Sequence, residues 1–239
     1  MYKRQIVYNA KASFPYHYVA STTPTSGLPT LADGVSELED FFTLAEEAGT
    51  NKSPVCILGT ADDLSHFAAI VNMGKDNLKL NATLTAEITL PTGTNNWTPI
   101  GNSSAKYTGT FDGAGYTVSG IDIDHSSSNY QGFFGTIGNG GMVKGLTVTG
   151  KVTGNSYVGG IAGQNNSGTL VACNSQVTVT GNSYVGGITG YNDSGTLTAC
   201  YSTGTVTGTG SDIGGIAGQN YNGTLTGCYP VSYTHLRAH

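Results

Sequence analysis

The chain has 239 residues, of which 10% are charged and 36 are glycine, and its formal net charge is −5. Thirteen of its fifteen acidic residues precede residue 125 and it has no basic cluster, so nucleic acid is not an expected partner. No apolar run approaches the roughly 20 residues of a membrane-spanning helix. The low charge does not indicate disorder, because apolar residues recur at regular spacing.

The two ends of the chain differ from the residues next to them. Residues 1–5 and 231–239 resemble translated sequencing-adaptor sequence, and we interpret both as artefacts without fold information. On this interpretation the natural protein continues beyond both ends. Residues 6–34 are rich in Ser, Thr and Pro and are interpreted as a linker or the remnant of an upstream domain.

Residues 35–96 are predicted to form a helical N-terminal cap. Ser36 begins a capping box before an apolar stripe that ends at Gly49. A second helix follows the same plan, with Thr60 as its N-cap and Gly74 at its end. Its expected apolar face consists of Leu64, Phe67, Ile70 and Val71.

Residues 97–230 contain a repeat with a period of 27 residues, in the segments 154–180, 181–207 and 208–230, with a degenerate copy before them. Such a period predicts a stacked array. Within the first repeat we predict three strands, 157–162, 169–173 and 176–180, and a bend next to Cys173.

One such coil buries too few side chains to offset the entropy of ordering its backbone, so only stacking stabilises it. We therefore predict a mainly β fold, a parallel β-helix capped N-terminally by two short α-helices, and the crossover rule favours a right-handed wind. A propeller blade is the alternative, but it needs four strands and more residues per repeat.

Several repeat positions are predicted to be structural. Asn165, Asn192 and Asn220 form a column at a turn, where Asn can bond its neighbour in the stack. Glycine pairs allow tight corners or close approach between coils. The structural positions are Gly159, Gly160, Gly186, Gly187, Gly214 and Gly215, together with Cys173, Cys200 and Cys228.

The three cysteines share one repeat position, which the preceding coil fills with Leu146. A column that accepts Leu and Cys favours buried, reduced thiols. A disulfide between neighbouring coils and a metal site are the alternatives, and the second is disfavoured because no His or acidic column accompanies the thiols. No cofactor is expected.

The chain resembles the GLUG motif of bacterial surface and secreted proteins. The repeat carries Tyr157-Val-Gly-Gly-Ile-Ala-Gly-Gln-Asn165 followed by Gly168-Thr-Leu170 and Cys173, and upstream Trp97–Gly101, Tyr107–Ile121 and Gly132–Ile137 look like the segment that precedes such repeats. The resemblance covers about residues 57–228. It implies an extracellular or cell-surface β-helix of adhesin-like proteins, and it brings no catalytic set to these positions.

Candidate catalytic groups are few. Asp112, Asp122 and Asp124 form one acidic cluster in the sequence, and the last two share a strand face, which suits a carboxylate pair or a hard cation. A turn at Asp112 and solvated strand positions at the other two are the simpler interpretation. His125 is interpreted as a loop residue, and we assign neither catalytic nor metal-binding residues.

Exposed tyrosines are the candidate contact surface, since an outward ladder could stack on sugars or pack against a protein. The alternative is that Tyr merely suits half-buried strand positions. The candidates are Tyr157, Tyr184, Tyr191, Tyr201, Tyr221 and Tyr229.

The sequence thus favours a stalk or binding module without catalysis, with a glycan or a host or bacterial surface protein as its partner. A fragment of a β-helical carbohydrate-active enzyme is the second hypothesis, and a structural spacer is the third. Because uncharged Thr, Val and Gly strands form the last coil, we also expect edge-to-edge self-association of the chain.

Overall fold

A computed structural model describes residues 55–231 and 235–236. The predicted helix at residues 36–49 lies outside these residues. Helix α1 spans Ala61–Asn72 and is followed by a 3-10 helix at Lys75–Lys79. The strands are β1 Val55–Leu58, β2 Asn81–Leu84, β3 Ile88–Thr89, β4 Thr110–Asp112, β5 Thr117–Asp124, β6 Phe134–Ile137, β7 Met142–Lys144, β8 Thr147–Thr153, β9 Ser156–Gly159, β10 Ala162–Asn166, β11 Thr169–Val171, β12 Asn174–Gly181, β13 Ser183–Gly186, β14 Thr189–Asp193, β15 Thr196–Thr198, β16 Tyr201–Ser202, β17 Val206–Gly208, β18 Ile213–Gly214, β19 Ala217–Tyr221, β20 Thr224–Thr226, β21 Tyr229–Pro230 and β22 His235–Leu236.

The strands form four parallel sheets that run along the stack. The seven-stranded sheet has the order β1-β2-β4-β7-β11-β15-β20, and the four-stranded sheet has the order β19-β14-β10-β6. The eight-stranded sheet follows the path β21-β16-β12-β8-β5-β3 with β17 and β22 beside it, and β18-β13-β9 form the three-stranded sheet. The fold is a parallel β-solenoid of about six turns with coils of about 27 residues, as the period predicted.

The first repeat contains four strands, β9 to β12, where the sequence predicted three. The predicted strand 157–162 is divided into β9 and β10, and the chain changes sheets between them. The reason lies in Gly160, where an added Cβ would come within 2.7 Å of the Gly187 carbonyl oxygen in the next coil. Here the glycine pair serves close approach between coils.

Three corners per coil have left-handed backbone conformations. The bend predicted beside Cys173 lies at Ala172, with φ 50°, and recurs at Ala199 with φ 52°. A second corner lies at Ser167 and Ser194. The third lies at Tyr157 and Tyr184, an unusual conformation for an aromatic residue.

The asparagine column is a hydrogen-bonded ladder. The Asn165 side-chain amide donates to Asn192 Oδ1 at 2.8 Å, and that of Asn192 donates to Asn220 Oδ1 at 2.6 Å. The ladder bond confirms the prediction, but the three residues lie in strands, and the turn that follows belongs to Ser167 and its equivalents. The buried Asn165 Oδ1 has no partner, because the preceding coil places Ile137 opposite Asn165.

Helix α1 closes the N-terminal side of the described solenoid. The Asp63 amide donates to the Thr60 hydroxyl at 3.1 Å and the Thr60 amide to the Asp63 carboxylate at 2.9 Å, so the predicted cap is a capping box. Its buried face contains Ala68 where we expected Ile70, which is half-buried. Strands β1 and β2 continue the seven-stranded sheet into the segment that we had assigned to the helical cap.

Candidate interaction surface

Three tyrosines form a stacked ladder on one edge of the solenoid. The rings of Tyr130 and Tyr157 lie 4.8 Å apart at 5°, and those of Tyr157 and Tyr184 lie 4.8 Å apart at 2°. This spacing equals the distance between neighbouring strands, so each coil contributes one ring in register. Tyr130 was not among the predicted contact residues, although it lies one period before Tyr157.

The ladder is held by its backbone and by a fourth ring. Tyr130, Tyr157 and Tyr184 each have a positive φ between 55° and 60°. Their corner leads into the three-stranded sheet or, for Tyr130, into the β-bridge between Gln131 and Val158. Tyr191 of β14 packs edge-on against both Tyr157 and Tyr184, with centroids 5.7 Å from each. We call Tyr130, Tyr157, Tyr184 and Tyr191 the tyrosine ladder.

The environment of the ladder suppresses ionisation of two of its hydroxyls, those of Tyr157 and Tyr191. Burial, and then the neighbouring Tyr130 and Tyr184, raises the pKa of Tyr157. Burial, and then the Asp193 carboxylate, raises the pKa of Tyr191. Tyr157 and Tyr191 therefore present neutral phenols that can donate and accept hydrogen bonds at physiological pH.

The ladder ends at a polar pair in the next coil. The register places Asp212 after Tyr184 in the same column, also with a positive φ of 61°. The Gln219 side-chain amide donates to the Asp212 carboxylate at 3.5 Å, and Gln219 lies opposite Tyr191. The Asp212 carboxylate and the Gln219 amide thus lie directly beside the aromatic surface.

The remaining candidate tyrosines lie elsewhere. Tyr201 and Tyr229 stack at 5.7 Å and 10° in the eight-stranded sheet. Tyr221 lies at the end of β19 beside Asp193 and is 54% exposed. The six predicted residues therefore do not form one surface: Tyr201 and Tyr229 are a separate pair, Tyr221 lies near Tyr191 at the margin of the ladder, and among the described tyrosines the ladder alone continues over more than two coils.

The acidic residues do not converge on one site. Lys144 Nζ lies 2.8 Å from the Asp112 carboxylate in the seven-stranded sheet, and Lys151 Nζ lies 3.3 Å from that of Asp122 in the eight-stranded sheet. Asp124 is exposed at the end of β5, next to His125. The Asp193 carboxylate accepts a hydrogen bond of 2.7 Å from the side-chain amide of Asn166 one coil earlier, so it joins neighbouring coils in the same way as the asparagine column does.

The cysteine column runs through the interior. Cys173 and Cys200 are fully buried, Cys228 is half-buried, and all three are free thiols. Leu146 occupies the equivalent buried position in the preceding coil. Among the described residues, no group of three or more His, Cys, Asp or Glu side chains could hold a metal ion. The same part of the chain contains no helix long and apolar enough to cross a membrane.

The family comparison identifies the repeat itself. The model of the GLUG motif matches residues 181–207, which form the coil from β13 to β17. This coil is a GLUG motif. The match confirms the resemblance that the sequence suggested, and the GLUG coil carries Tyr184 and Tyr191 of the ladder as well as Cys200.

Two curated proteins are similar to parts of the chain. A provisionally named Gly-rich membrane protein of Evansella cellulosilytica is 33% identical over 112 residues, which are 46% of this chain and 13% of that protein. Halomucin of Haloquadratum walsbyi is 33% identical over 132 residues, which are 51% of this chain and 1% of halomucin. The chain therefore spans only a small part of either relative.

One solved structure shares the fold. The crystal structure of a provisionally named immunoglobulin A1 protease from Bacteroides ovatus superposes with a TM-score of 0.54 at 20% identity, over 78% of each chain. At this identity the similarity supports the β-solenoid fold alone.

Proposed function

We propose that this chain is part of an extracellular or cell-surface β-helical protein and that its GLUG coils serve as a binding module. The names of the two similar proteins, a membrane protein and a halomucin, support this location. The observation that carries the binding role is the tyrosine ladder, because its rings are fixed by stacking at 4.8 Å before any partner arrives. Preorganised aromatic side chains lose little entropy on binding.

The stacking decides how a partner would approach. Both faces of the Tyr157 ring are covered by Tyr130 and Tyr184, so it offers an edge and a hydroxyl. A sugar ring stacks on an aromatic face, and within the ladder that mode is open only at the ends. We therefore favour a surface protein that packs across the ring edges, while a glycan bound at one end of the ladder is the second class of partner.

The experiment compares two Tyr→Asn variants against immobilised glycans and a panel of purified bacterial and host surface proteins. Tyr184→Asn removes a ladder ring, and Asn tolerates the left-handed conformation at this corner. Tyr201→Asn is the matched control, because the preceding coil has Asn174 at that register position. We expect at least about tenfold weaker binding, or roughly 1.4 kcal/mol, for the first variant alone. Equal binding by both variants and the unchanged chain would contradict the role of the ladder.

An enzymatic function is the alternative, which the name of the Bacteroides ovatus protein brings into view. Against it, Asp112 and Asp122 are each paired with a lysine, and these two pairs lie in different sheets. Of the Asp122 and Asp124 carboxylates on β5, the first is already neutralised by Lys151. Incubation with pectin, alginate, xylan, glycosaminoglycans and immunoglobulin A1 is expected to give no turnover. Product formation that disappears in Asp122→Asn or Asp124→Asn would establish the enzyme hypothesis.

A spacer is the third function that the fold permits. About six turns at roughly 4.8 Å per coil extend only about 30 Å, so the described segment by itself is a short stalk. Absence of any partner in the binding panel would favour this hypothesis.

A further inference from the structure

The cysteine column places three thiols in neighbouring coils along the solenoid axis. The strand register sets Cys200 opposite Cys173 in the preceding coil and opposite Cys228 in the following coil. Each thiol also donates to a backbone carbonyl in the preceding coil, as Cys200 does to Leu170 at 3.6 Å and Cys228 to Leu197 at 3.5 Å. Packing alone does not require Cys at this column, since Leu146 fills it one coil earlier.

The backbone fixes Cys200 directly opposite Cys228. On one side of the pair, Thr198 lies in register with Thr226, and on the other side Tyr201 lies in register with Tyr229. The Tyr229 amide donates to the Cys200 carbonyl at 3.2 Å. Neighbouring parallel strands lie roughly 4.7–4.9 Å apart, which is within the roughly 4.4–6.8 Å that a disulfide spans between Cα atoms.

Access and acidity differ along the column. Cys173 and Cys200 are sealed in the interior, whereas Cys228 is half-buried and belongs to the least covered coil. Interaction with the Cys173 thiol lowers the pKa of the Cys200 thiol, which favours the thiolate needed for disulfide exchange. Interaction with Cys200, together with burial, raises the pKa of Cys173, and partial burial raises the pKa of Cys228, so exposure rather than acidity makes Cys228 the point of entry.

We propose that Cys200 and Cys228 are a redox site that forms a reversible disulfide between the last two described coils. With a low-molecular-weight disulfide as oxidant, the Cys228 thiolate attacks one oxidant sulfur, forms a mixed disulfide and expels a thiolate. The Cys200 thiolate then attacks Cys228 Sγ and expels the second thiolate. The two protein thiols lose two protons and two electrons in all, and the oxidant takes up both in becoming two thiols, so the exchange balances.

The bond would tie β20 and β21 covalently to the GLUG coil. It closes a loop of 27 residues between the two cysteines and joins the most exposed coil to the fully buried Cys200 of its neighbour. Because parallel, in-register side chains stand farther apart than the mean Cβ separation of a relaxed disulfide, roughly 3.8 Å, the bond should be readily reduced. A readily reduced disulfide is suited to responding to the redox conditions outside the protein.

The test uses the full 239-residue chain, reduced and then exposed to oxidised glutathione. Trypsin has no site between Lys151 and Arg237, so the products are digested with chymotrypsin, which separates the three cysteines after Leu197, Tyr201 and Leu225. We expect a Cys200–Cys228 peptide that disappears on reduction, and slower hydrogen exchange at residues 213–229 after oxidation. Cys228→Ser should abolish the peptide, whereas Cys56→Ala, a buried cysteine in β1 outside the column, should leave it unchanged.

Three outcomes would overturn the proposal. They are a glutathione adduct on Cys228 that never transfers to Cys200, a disulfide between Cys173 and Cys200 instead, and a chain in which all thiols remain free. Circular dichroism of Cys228→Ser shows whether that variant is folded, and the unchanged chain supports or refutes the proposal independently of it. The inference does not depend on the proposed binding function.

Discussion

The two ends of the described solenoid share one backbone register but differ in what fills and covers them. Near the N-terminal side, Phe111 packs against Phe67 of helix α1 at 5.9 Å and against Phe133 at 5.7 Å. In the last coil Leu225 is 40% exposed, although its column mate Leu197 is fully buried. Repetition thus extends the solenoid, whereas large, irregularly placed side chains and a helix cover its N-terminal side.

At the N-terminal side, which helix α1 covers and which we call the covered end, the hydrogen bonds also differ from those of the repeat. The Trp97 indole stacks on Phe133 at 4.8 Å and donates to the Phe133 carbonyl at 3.0 Å. The Asn95 and Asn96 side chains accept from the amides of Asp124 and Asp122 at 2.7 and 2.8 Å, in the place of a further strand. Side chains thus satisfy the edge of β5 where no ladder partner continues.

The largest effect should come from breaking the aromatic cluster of the covered end. Phe111→Ala removes a fully buried ring that touches three others, so we expect a loss of about 3–5 kcal/mol in the free energy of unfolding. Urea denaturation followed by circular dichroism measures it. Phe111→Leu, which keeps most of the volume, should lose much less. A loss below about 1 kcal/mol for Phe111→Ala would mean that the cluster does not support this end.

The same substitution in two neighbouring coils measures how differently their core positions are covered. Leu197→Ala in the GLUG coil should cost about 2–5 kcal/mol, because the removed methyl groups leave a cavity. Leu225→Ala, at the next position of the same column, should cost less than about 1 kcal/mol, because that side chain already contacts solvent. Denaturation of the two variants in parallel measures the difference. Equal losses would show that the last coil is covered in solution.

Much of this architecture was predictable, since a period of 27 residues fixes the register of every column. The capping box of α1 and the Asn ladder followed from residue types at known spacing. The corners were not predictable. Tyr157 prefers extended backbone, so its left-handed φ of 59° depends on stacking with neighbouring coils and leaves no local signal. That corner also decides which tyrosines meet, and this is why the ladder includes Tyr130 but not Tyr201.

Alkaline pH should weaken the covered end. Burial raises the pKa of Cys56 in β1 from its ordinary value of 9.0 to about 12. Above pH 9 the unfolded chain can ionise this thiol while the folded chain must keep it protonated, so stability is full below pH 9 and falls as the pH rises toward 12. In this range the Cys56 thiol lowers the free energy of unfolding by about 1.4 kcal/mol for each pH unit.

Cys56→Ala tests the slope. Its free energy of unfolding between pH 9 and pH 11 should fall less steeply than that of the unchanged chain, after subtraction of the cost of the substitution itself. Thermal or urea unfolding at a series of pH values measures both slopes. Parallel curves would show that the Cys56 thiol ionises as readily in the folded chain as in the unfolded one.

Among the free energies of local opening along the described solenoid, that of the last coil should be the smallest. Strands β18, β19 and β20 each pair on one side only, and their columns carry exposed Tyr221 and Leu225. Such edges open at little cost and can pair with a second copy. We therefore expect amide hydrogens of residues 213–226 to exchange faster than those of residues 156–181, and light scattering to increase with protein concentration. The substitution Thr224→Lys, at an exposed edge position, should reduce the light scattering and leave amide hydrogen exchange in residues 156–181 unchanged. Equal protection of both segments in a chain that stays monomeric would mean that the two ends of the solenoid are equally closed.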